Sequence, residues 1–413
     1  AQALRPGVGT PHCIPVEPST STTQPSMPCH RVLLPLVALA SAAFAHAGDV
    51  PACAAEESSE NCELASGAVA AAPLAADGAD AGESLALAQR QIRSLLAPRK
   101  GGRHASAAVL PSVVFVKTHK TGGSTMANIM NRLVYDRDLK KVPTNDGHVI
   151  NWPMLLEQEA PNHQYDIVCN HQMLNMSAVK AYTKTSPFIF TILREPLSMI
   201  DSKFRWKVSR HAKDASESDT WAKRLVEMHE TPNLYMNSLS RDLGWYDGMD
   251  IRHDGFIEGE ATFRNDKDPE AISKFVQYID SSMDLVFMTE RYDEGLVLLR
   301  RDLGLDMKDV SYLRMKESSV AADAVPPPTE AEMEQLKEFI GVDTALYEHF
   351  SKRFWKQWEE HGGNATLLLE VTALRERNAE LERECGNPGN SEKCWEFQAD
   401  GGYFDAMLDV KDS

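Results

Sequence analysis

A short apolar strand that runs directly into a glycine-containing loop is the feature that most restricts the fold of this chain. Residues 112–117 (SVVFVK) predict a buried strand, and the loop at residues 118–123 (THKTGG) leads into a predicted helix over residues 124–135. The first backbone N–H groups of a helix have no acceptor within it, so a strand–loop–helix unit of this kind can hold an anion. The sequence therefore predicts an anion-binding loop within an α/β sheet.

The order of residues in this loop differs from that of a nucleoside triphosphate-binding loop. A Walker A loop places a glycine directly before its lysine, whereas Gly122 and Gly123 follow Lys120. An ATP or GTP site of that type is therefore disfavoured. The candidate anion-binding residues are Lys120, Thr121, Gly122, Gly123, Ser124 and Thr125. Taken alone, the loop could also be a glycine-rich helix start without a ligand.

Three further apolar segments predict strands that alternate with helices. The segments cover residues 165–169, 187–193 and 284–288. The helices are expected near residues 196–210, 219–230, 269–281, 291–302, 329–340 and 343–361. This alternation is typical of an α/β fold with a central parallel sheet flanked by helices. We expect one such domain over residues 111–362.

A second phosphate contact is predicted where the strand over residues 187–193 ends. Arg194 follows that strand directly, and Ser202 comes eight residues later in the next predicted helix. Arginine can bind phosphate through two parallel hydrogen bonds, and serine adds a directional donor. Alone, the two could be a salt-bridged corner and a surface serine. Together with the first loop they indicate a nucleotide with two separated phosphate groups.

A histidine after the second predicted strand is the candidate general base. His171 follows Asn170 at the end of that strand, where ligands bind in open α/β sheets. Histidine suits the role because its ordinary pKa lies near neutral pH. A structural histidine at a strand end is the alternative. His119 is a second candidate, but we expect it to shape the loop instead.

The region after Arg194 also carries basic and aromatic residues. The basic residues are Lys203, Arg205, Lys207, Arg210 and Lys213. They form either a solvated helix face or a positive field near an anion. The aromatic residues are Trp206, Trp221, Trp245 and Tyr246. They are candidates for stacking on a sugar ring, although core packing is the commoner role.

Four segments, in this order, resemble the galactose-3-O-sulfotransferase (galactosylceramide sulfotransferase) family. They are FVKTHKTGGSTMANIMNR, DIVCNHQMLN, TILREPLSMIDSKFRW and MDLVFMTERYDEGLVLLRRDLGL. The resemblance implies a P-loop-like sulfotransferase fold with a C-terminal helical extension. It also implies the donor 3′-phosphoadenosine-5′-phosphosulfate (PAPS), no metal, and transfer of the sulfuryl group to a galactose 3-hydroxyl of a glycolipid or glycan.

The resemblance further implies roles for the residues named above. Lys120 would contact the bridging oxygen of PAPS, and residues 121–125 would hold the 5′-phosphate. Arg194 and Ser202 would bind the 3′-phosphate. His171 matches the histidine regarded as the general base in related uronyl 2-O-sulfotransferases. Two alternatives stay open: a uronyl or polysaccharide 2-O-type sulfotransferase, and a catalytically inactive carbohydrate-binding or scaffold protein.

Residues 1–48 predict a leader for the secretory pathway. The apolar run at residues 32–45 follows Arg31 and is shorter than the roughly 20 residues of a membrane span. It fits a cleaved signal peptide or a short signal anchor, with Met27 as the expected translation start. We therefore expect a protein of the Golgi membrane, if the segment is kept, or of the Golgi lumen.

The net charge of −17 is concentrated outside the predicted domain. Residues 49–110 read as a low-complexity stem, because residues 49–83 combine alanines and acids with few large apolar side chains. Residues 369–413 hold 11 acids against 5 bases. So acidic a chain is not expected to bind nucleic acid, whereas its central domain can still bind a small anion.

Residues 363–413 read as a coiled-coil-like helix followed by an acidic tail. Leu367, Leu374 and Leu381 recur every seven residues, so residues 366–385 could form a homodimer. The alternative is an amphipathic helix packed on its own domain.

Cysteine spacing agrees with a secretory protein. Cys53 with Cys62, and Cys385 with Cys394, could form local disulfides in an oxidising compartment. Asn364 begins the better of two N-glycosylation sequons.

Overall fold

The structure, a computed structural model, is described here for part of the chain. The described residues are 90–91, 110–144, 149–150, 152, 164–184, 186–210, 220–230, 235–245, 250–251, 257–258, 266–315, 326–386 and 391–412. The predicted leader and nearly all of the predicted stem, with Cys53 and Cys62, lie outside these ranges. Within them, no helix combines the length and the apolar character that crossing a bilayer requires.

The central sheet is parallel. The described strands are β1 (Val113–Val116), β2 (Ile167–Val168), β3 (Phe188–Leu193), β4 (Asp250–Ile251), β5 (Ile257–Glu258) and β6 (Leu285–Met288). Four of them form one sheet in the order β2-β1-β3-β6, and every pairing in it is parallel. The strands β4 and β5 form a separate antiparallel pair.

Helices surround this sheet in the described residues. They are α1 (Gly123–Arg137), α2 (Met176–Tyr182), α3 (Pro196–Arg210), α4 (Trp221–Glu230), α5 (Ser238–Asp242), α6 (Pro269–Ser282), α7 (Tyr292–Asp302), α8 (Met307–Val310), α9 (Glu330–Lys337), α10 (Gly341–Glu360), α11 (Gly363–Cys385), α12 (Ser391–Gln398) and α13 (Gly401–Asp412). A short 3₁₀ turn, Thr289–Arg291, joins β6 to α7.

The predicted α/β class and its parallel sheet are confirmed. The four predicted sheet strands and the predicted long helices all form, with ends that differ by a few residues. The short helices α2, α5 and α8 were not predicted, because so few residues show no helical periodicity. The antiparallel pair β4–β5 was not predicted, because strands of two residues are too short to show an alternating pattern.

The core is built on aromatic side chains that cross the sheet. Phe115 of β1 stacks on Phe190 of β3 with ring centroids 5.0 Å apart, and Phe190 stacks on Phe287 of β6 at 6.4 Å. Helix α7 covers this row closely at Gly295, where a Cβ atom would lie 2.2 Å from the Phe287 ring. This row of rings therefore fixes the strands and also α7. Helix α7 begins beside the predicted anion-binding loop at residues 118–123, called the anion loop below.

Helix α11 lies on the domain itself. Its side chains Leu367, Val371 and Leu374 belong to the main core, and Glu370 pairs with Arg300 and Arg301 of α7. The heptad leucines are thus covered within the chain, as expected for an amphipathic helix packed on its own domain. A homodimer through residues 366–385 stays a prediction, and it would have to use another face of this helix.

The C-terminal residues, expected as an acidic tail, form the helices α12 and α13. Asn128 of α1 donates from Nδ2 to the carbonyls of Glu396 (2.8 Å) and Ala399 (2.9 Å). Phe404 is buried, and Asp405 pairs with Lys141. The packed body thus continues beyond residue 362, because apolar anchors among the acids hold these helices on α1. The limits of the sulfotransferase domain, residues 111–362, stay a prediction.

A disulfide joins Cys385 at the end of α11 to Cys394 in α12. The second of the two expected pairs therefore forms. It packs with Leu313 and Leu381 in a small apolar cluster.

Candidate functional site

The candidate site lies at the carboxyl edge of the sheet. Lys117 directly follows β1, Arg194 directly follows β3 and Thr289 directly follows β6. His171 comes three residues after the end of β2. Because the strands are parallel, these four chain segments meet on one side of the sheet, the usual ligand-binding side of open α/β folds.

The loop after β1 has a backbone that needs glycine. Gly122 caps α1 with a φ of 82°, and Lys120 also has a positive φ, 63°. A Cβ atom on Gly122 would lie 2.9 Å from Cε2 of Tyr292. The Tyr292 hydroxyl donates to the Gly122 carbonyl at 3.2 Å. The loop therefore turns sharply against α7 and points the start of α1 toward the site.

Neighbouring strand ends hold this loop in place. The Thr118 hydroxyl donates to the carbonyl of Ile192 at 2.5 Å, and Arg194 Nη1 donates to the carbonyl of Lys120 at 3.1 Å. The Thr289 hydroxyl lies 3.1 Å from the carbonyls of both Thr121 and Leu193. The loop is thus fixed to the ends of β3 and β6 before any ligand binds.

The hydroxyls of the loop differ in what they contact. Thr121 is buried, and its Oγ1 lies 2.9 Å from Oγ1 of Thr118. Thr125 Oγ1 accepts from the backbone N–H of Met315 at 3.2 Å. Ser124 is half-buried at the start of α1. Thr121 and Thr125 therefore help to build the loop, which leaves the backbone amides at the start of α1 as the candidate anion donors.

Two histidines lie together at the site. The rings of His119 and His171 stack with centroids 4.4 Å apart and planes 22° apart. His171 Nδ1 lies 3.2 Å from the Lys117 carbonyl. His119 Nδ1 lies 2.7 Å from Oδ2 of Asp242, and the His119 backbone N–H donates to the same oxygen at 2.8 Å. His119 thus has a carboxylate partner, whereas His171 contacts a backbone carbonyl.

Asp242 is buried and stays ionised. Burial alone would raise its pKa, but the charge and hydrogen bonds of His119 and the charge of Arg241 hold the pKa below its usual value. Its helix, α5, is anchored by buried Asp343, which accepts from the N–H groups of Leu239 (3.1 Å) and Ser240 (2.7 Å). Asp242 is therefore held firmly under the loop.

Helix α3 carries the second predicted phosphate contact. Arg194 precedes the helix and is half-buried, as is Ser202 within it. The next residue, Lys203, donates from Nζ to the Ser238 hydroxyl at 3.1 Å. Burial and then the charge of Arg241 lower the pKa of Lys203 to about 7.

The basic residues that follow Arg194 were expected to form either a solvated helix face or a positive field. Only part of this run lies on a solvated face. Lys203 points inward, and Arg205 pairs with Asp201 of the same helix at 2.8 Å. The side chains of the other three basic residues lie outside the described part of the chain.

The predicted sugar-stacking residues also divide. Trp221 and Trp245 are buried, and their indole N–H groups donate to the Pro326 carbonyl and to Asp266. They are core residues. Trp206 is exposed and lies beside Lys120, while Tyr246 falls outside the described residues.

The arrangement can bind an anion and accept a proton. Lys120, Arg194 and the start of α1 supply positive charge and N–H donors, and the histidine pair lies in the same loop region. Among the residues described, no group of three or more His, Cys, Asp or Glu side chains is placed to hold a metal ion. Sequence reasoning missed Asp242, Thr289 and Tyr292, which lie more than 100 residues from the loop along the chain.

Comparison with known proteins places the chain in a narrow group. The sequence profile described as Galactose-3-O-sulfotransferase matches residues 23–394. Galactosylceramide sulfotransferase of Bos taurus is 27% identical over 295 residues, which are 68% of this chain and 65% of that protein. Galactose-3-O-sulfotransferase 2 of Mus musculus is 28% identical over 284 residues, 66% of this chain and 69% of that protein. The chain thus spans slightly less than two thirds of the bovine relative.

Replacing the buried carboxylate tests its bond to the loop. Asp242→Asn should lower the free energy of unfolding by about 2 kcal/mol at pH 7, because it removes the negative charge facing His119. A pKa lowered by folding stabilises the protein above about pH 4, and this stabilisation is lost as the pH falls through the folded pKa. Urea unfolding of the wild-type protein and the variant at pH 7 and at pH 3 measures the loss of unfolding free energy at each pH.

The matched control for this variant is Glu270→Gln. It alters an exposed pair with Lys274 and should change the stability little. An Asp242→Asn effect of equal size at the two pH values would contradict the ionised contact.

Proposed function

Because the chain belongs to the galactose-3-O-sulfotransferase family, we propose that it is a carbohydrate sulfotransferase that transfers the sulfuryl group of PAPS to a galactose 3-hydroxyl. The observation that supports this most is the meeting of the anion loop, Arg194 and two histidines at one sheet edge. Cations and N–H donors are needed for the phosphates of the donor, and a base is needed for the acceptor hydroxyl.

The proposed reaction is an in-line transfer. A bond forms between the acceptor oxygen and sulfur, and the bond between sulfur and the bridging oxygen of the 5′-phosphate breaks. The acceptor proton passes to a histidine, and the leaving phosphate keeps the electron pair. The protein has to stabilise the charge that develops on the leaving oxygen, which is where a fixed cation is most effective.

The donor would be held by the residues at the sheet edge. We propose that Lys120 contacts the bridging oxygen and that the amides of Gly122, Gly123, Ser124 and Thr125 bind the 5′-phosphate. The fit is supported by Gly122, where a Cβ atom would disturb the turn. Thr121 would act by bracing the loop from inside, because its hydroxyl contacts Thr118.

The 3′-phosphate would lie between α3 and the loop. We propose Arg194 and Ser202 as its ligands. Arg194 already donates one N–H group to the Lys120 carbonyl, and its guanidinium has further donors. A single side chain would thereby join the two phosphate sites.

The general base is proposed within the stacked histidine pair. The sequence favours His171 for its place after β2. The contact with Asp242 gives His119 the arrangement of an oriented base, in which a carboxylate binds Nδ1 and Nε2 can take a proton. His171 stacks on the His119 ring and is the other candidate for the residue that takes the acceptor proton.

The acceptor and the cellular location are proposed on the basis of the family. We propose a galactosyl lipid or glycan as acceptor, since relatives carry the names galactosylceramide sulfotransferase and galactose-3-O-sulfotransferase 2. We further propose the Golgi membrane or lumen as its location, with a membrane anchor in the leader if that segment is retained.

A transfer assay with ³⁵S-labelled PAPS tests the function. Purified protein should label galactosylceramide or galactose-terminated N-glycans and leave glycosaminoglycans without terminal galactose unlabelled. Lys120→Ala should lower kcat at least about 100-fold, because it removes the charge at the leaving oxygen. Label on uronic acid polymers alone would favour the 2-O-type alternative, and no label on any carbohydrate would favour the inactive one.

Separate histidine variants test the base. His171→Ala should abolish turnover, with at least about a 100-fold loss, while PAP still binds. His119→Ala should lower kcat similarly if it shares the role, and it should also weaken PAP binding if it mainly shapes the loop. Calorimetry with PAP and steady-state assays separate these effects. More than about a tenth of the wild-type activity in His171→Ala would exclude His171 as the base.

A further inference from the structure

An exposed tryptophan lies against the anion loop. Trp206 on α3 is 44% exposed, and Lys120 Nζ lies 5.7 Å from the centroid of its ring. Large apolar side chains at the surface lose the stabilisation that burial would give. Beside the proposed donor site, such a side chain is placed to contact a ligand, because ligand sites are lined largely by apolar and aromatic side chains.

The surrounding helix explains why this side chain stays outside. Met199, Ile200 and Phe204 form the buried face of α3. Trp206 lies four residues after Ser202 and seven after Met199, so Ser202 and Trp206 lie at the border of this buried face. The core therefore does not use Trp206, although it takes up Trp221 and Trp245 nearby in the sequence.

We propose that the ring of Trp206 is the platform on which the sugar ring of the acceptor stacks; this rests on the proposed sulfotransferase activity. One face of a β-galactoside carries the C–H groups of C3, C4 and C5, and polarised C–H groups are attracted by the electron-rich face of an indole. The 3-hydroxyl is equatorial and points from the edge of the sugar. Stacking therefore leaves it open to the sulfur atom.

The position beside Lys120 favours the acceptor over the adenine of the donor. Lys120 is proposed to bind at the bridging oxygen, which is the reacting end of PAPS. Adenine is separated from that end by the ribose, whereas the acceptor hydroxyl must come into line with the sulfur. An aromatic ring next to the Lys120 ammonium is thus close to where the acceptor sugar has to lie.

Variants of the full chain test the platform through the acceptor constants. Trp206→Ala should raise the KM for a galactoside acceptor at least about tenfold, and Trp206→Phe should restore most of the loss because it keeps an aromatic face. The Kd for PAP, measured by calorimetry, should change less than about twofold. Binding of lactose to PAP-loaded protein is measured in parallel.

The matched control is Trp355→Ala. Trp355 is similarly exposed, at 41%, and also lies beside a cation, since the Arg291 guanidinium is 5.3 Å from its ring centroid. This variant should leave the acceptor KM and the PAP Kd unchanged. A general effect of removing a surface tryptophan would appear here as well.

The outcomes separate the platform from the activity. An unchanged acceptor KM in Trp206→Ala, or a rise in the PAP Kd without a change in lactose affinity, would overturn the platform. An inactive wild-type protein would instead refute the proposed function, and the lactose affinities of the variants would still decide the role of Trp206.

Discussion

The site depends on the hydrogen bonds that tie the loop after β1 to the ends of β3 and β6. The Thr118 hydroxyl, Arg194 Nη1 and the Thr289 hydroxyl each bond a carbonyl across these chain segments. Because each bond joins residues 74 or more positions apart, the loop takes its shape only when the sheet is complete. The start of α1 is then aimed by the packed core, and a ligand would not have to order it.

Charge at the site is local and differs from that of the whole chain. The net charge is −17, yet Lys120, Arg194 and the start of α1 form a positive edge, and buried Asp242 is offset by His119 and Arg241. Burial and the charge of Arg241 also lower the pKa of Lys203 to about 7, so the charge of this lysine changes near neutral pH. Under the proposed function, the donor anion would meet the positive edge formed by Lys120, Arg194 and the start of α1 despite the acidic composition.

The sequence predicted the strands, the long helices and the residues at the strand ends, because buried strands and amphipathic helices leave periodic patterns that are readable locally. Lys120, His171, Arg194 and the loop glycines follow from that pattern. Asp242 could not be predicted, since it sits in a five-residue helix and reaches the loop only through tertiary packing. The packing of α12 and α13 on α1 could not be predicted, because the acidic composition of these residues is typical of a solvated tail. That Trp206 is exposed while Trp245 is buried depends on how the helices pack, which a local sequence pattern does not show.

The central claim is that two separate phosphate sites meet at this sheet edge, with Arg194 serving the second. Calorimetric titration of PAP and of adenosine 5′-monophosphate into wild-type protein and Arg194→Ala tests it directly. The account predicts that the wild-type protein binds PAP at least about tenfold more tightly than the monophosphate, and that Arg194→Ala removes this preference; monophosphate binding should fall less than PAP binding, through the lost bond to the Lys120 carbonyl. Equal affinities in the wild-type protein, or an equal loss for both nucleotides in the variant, would contradict it.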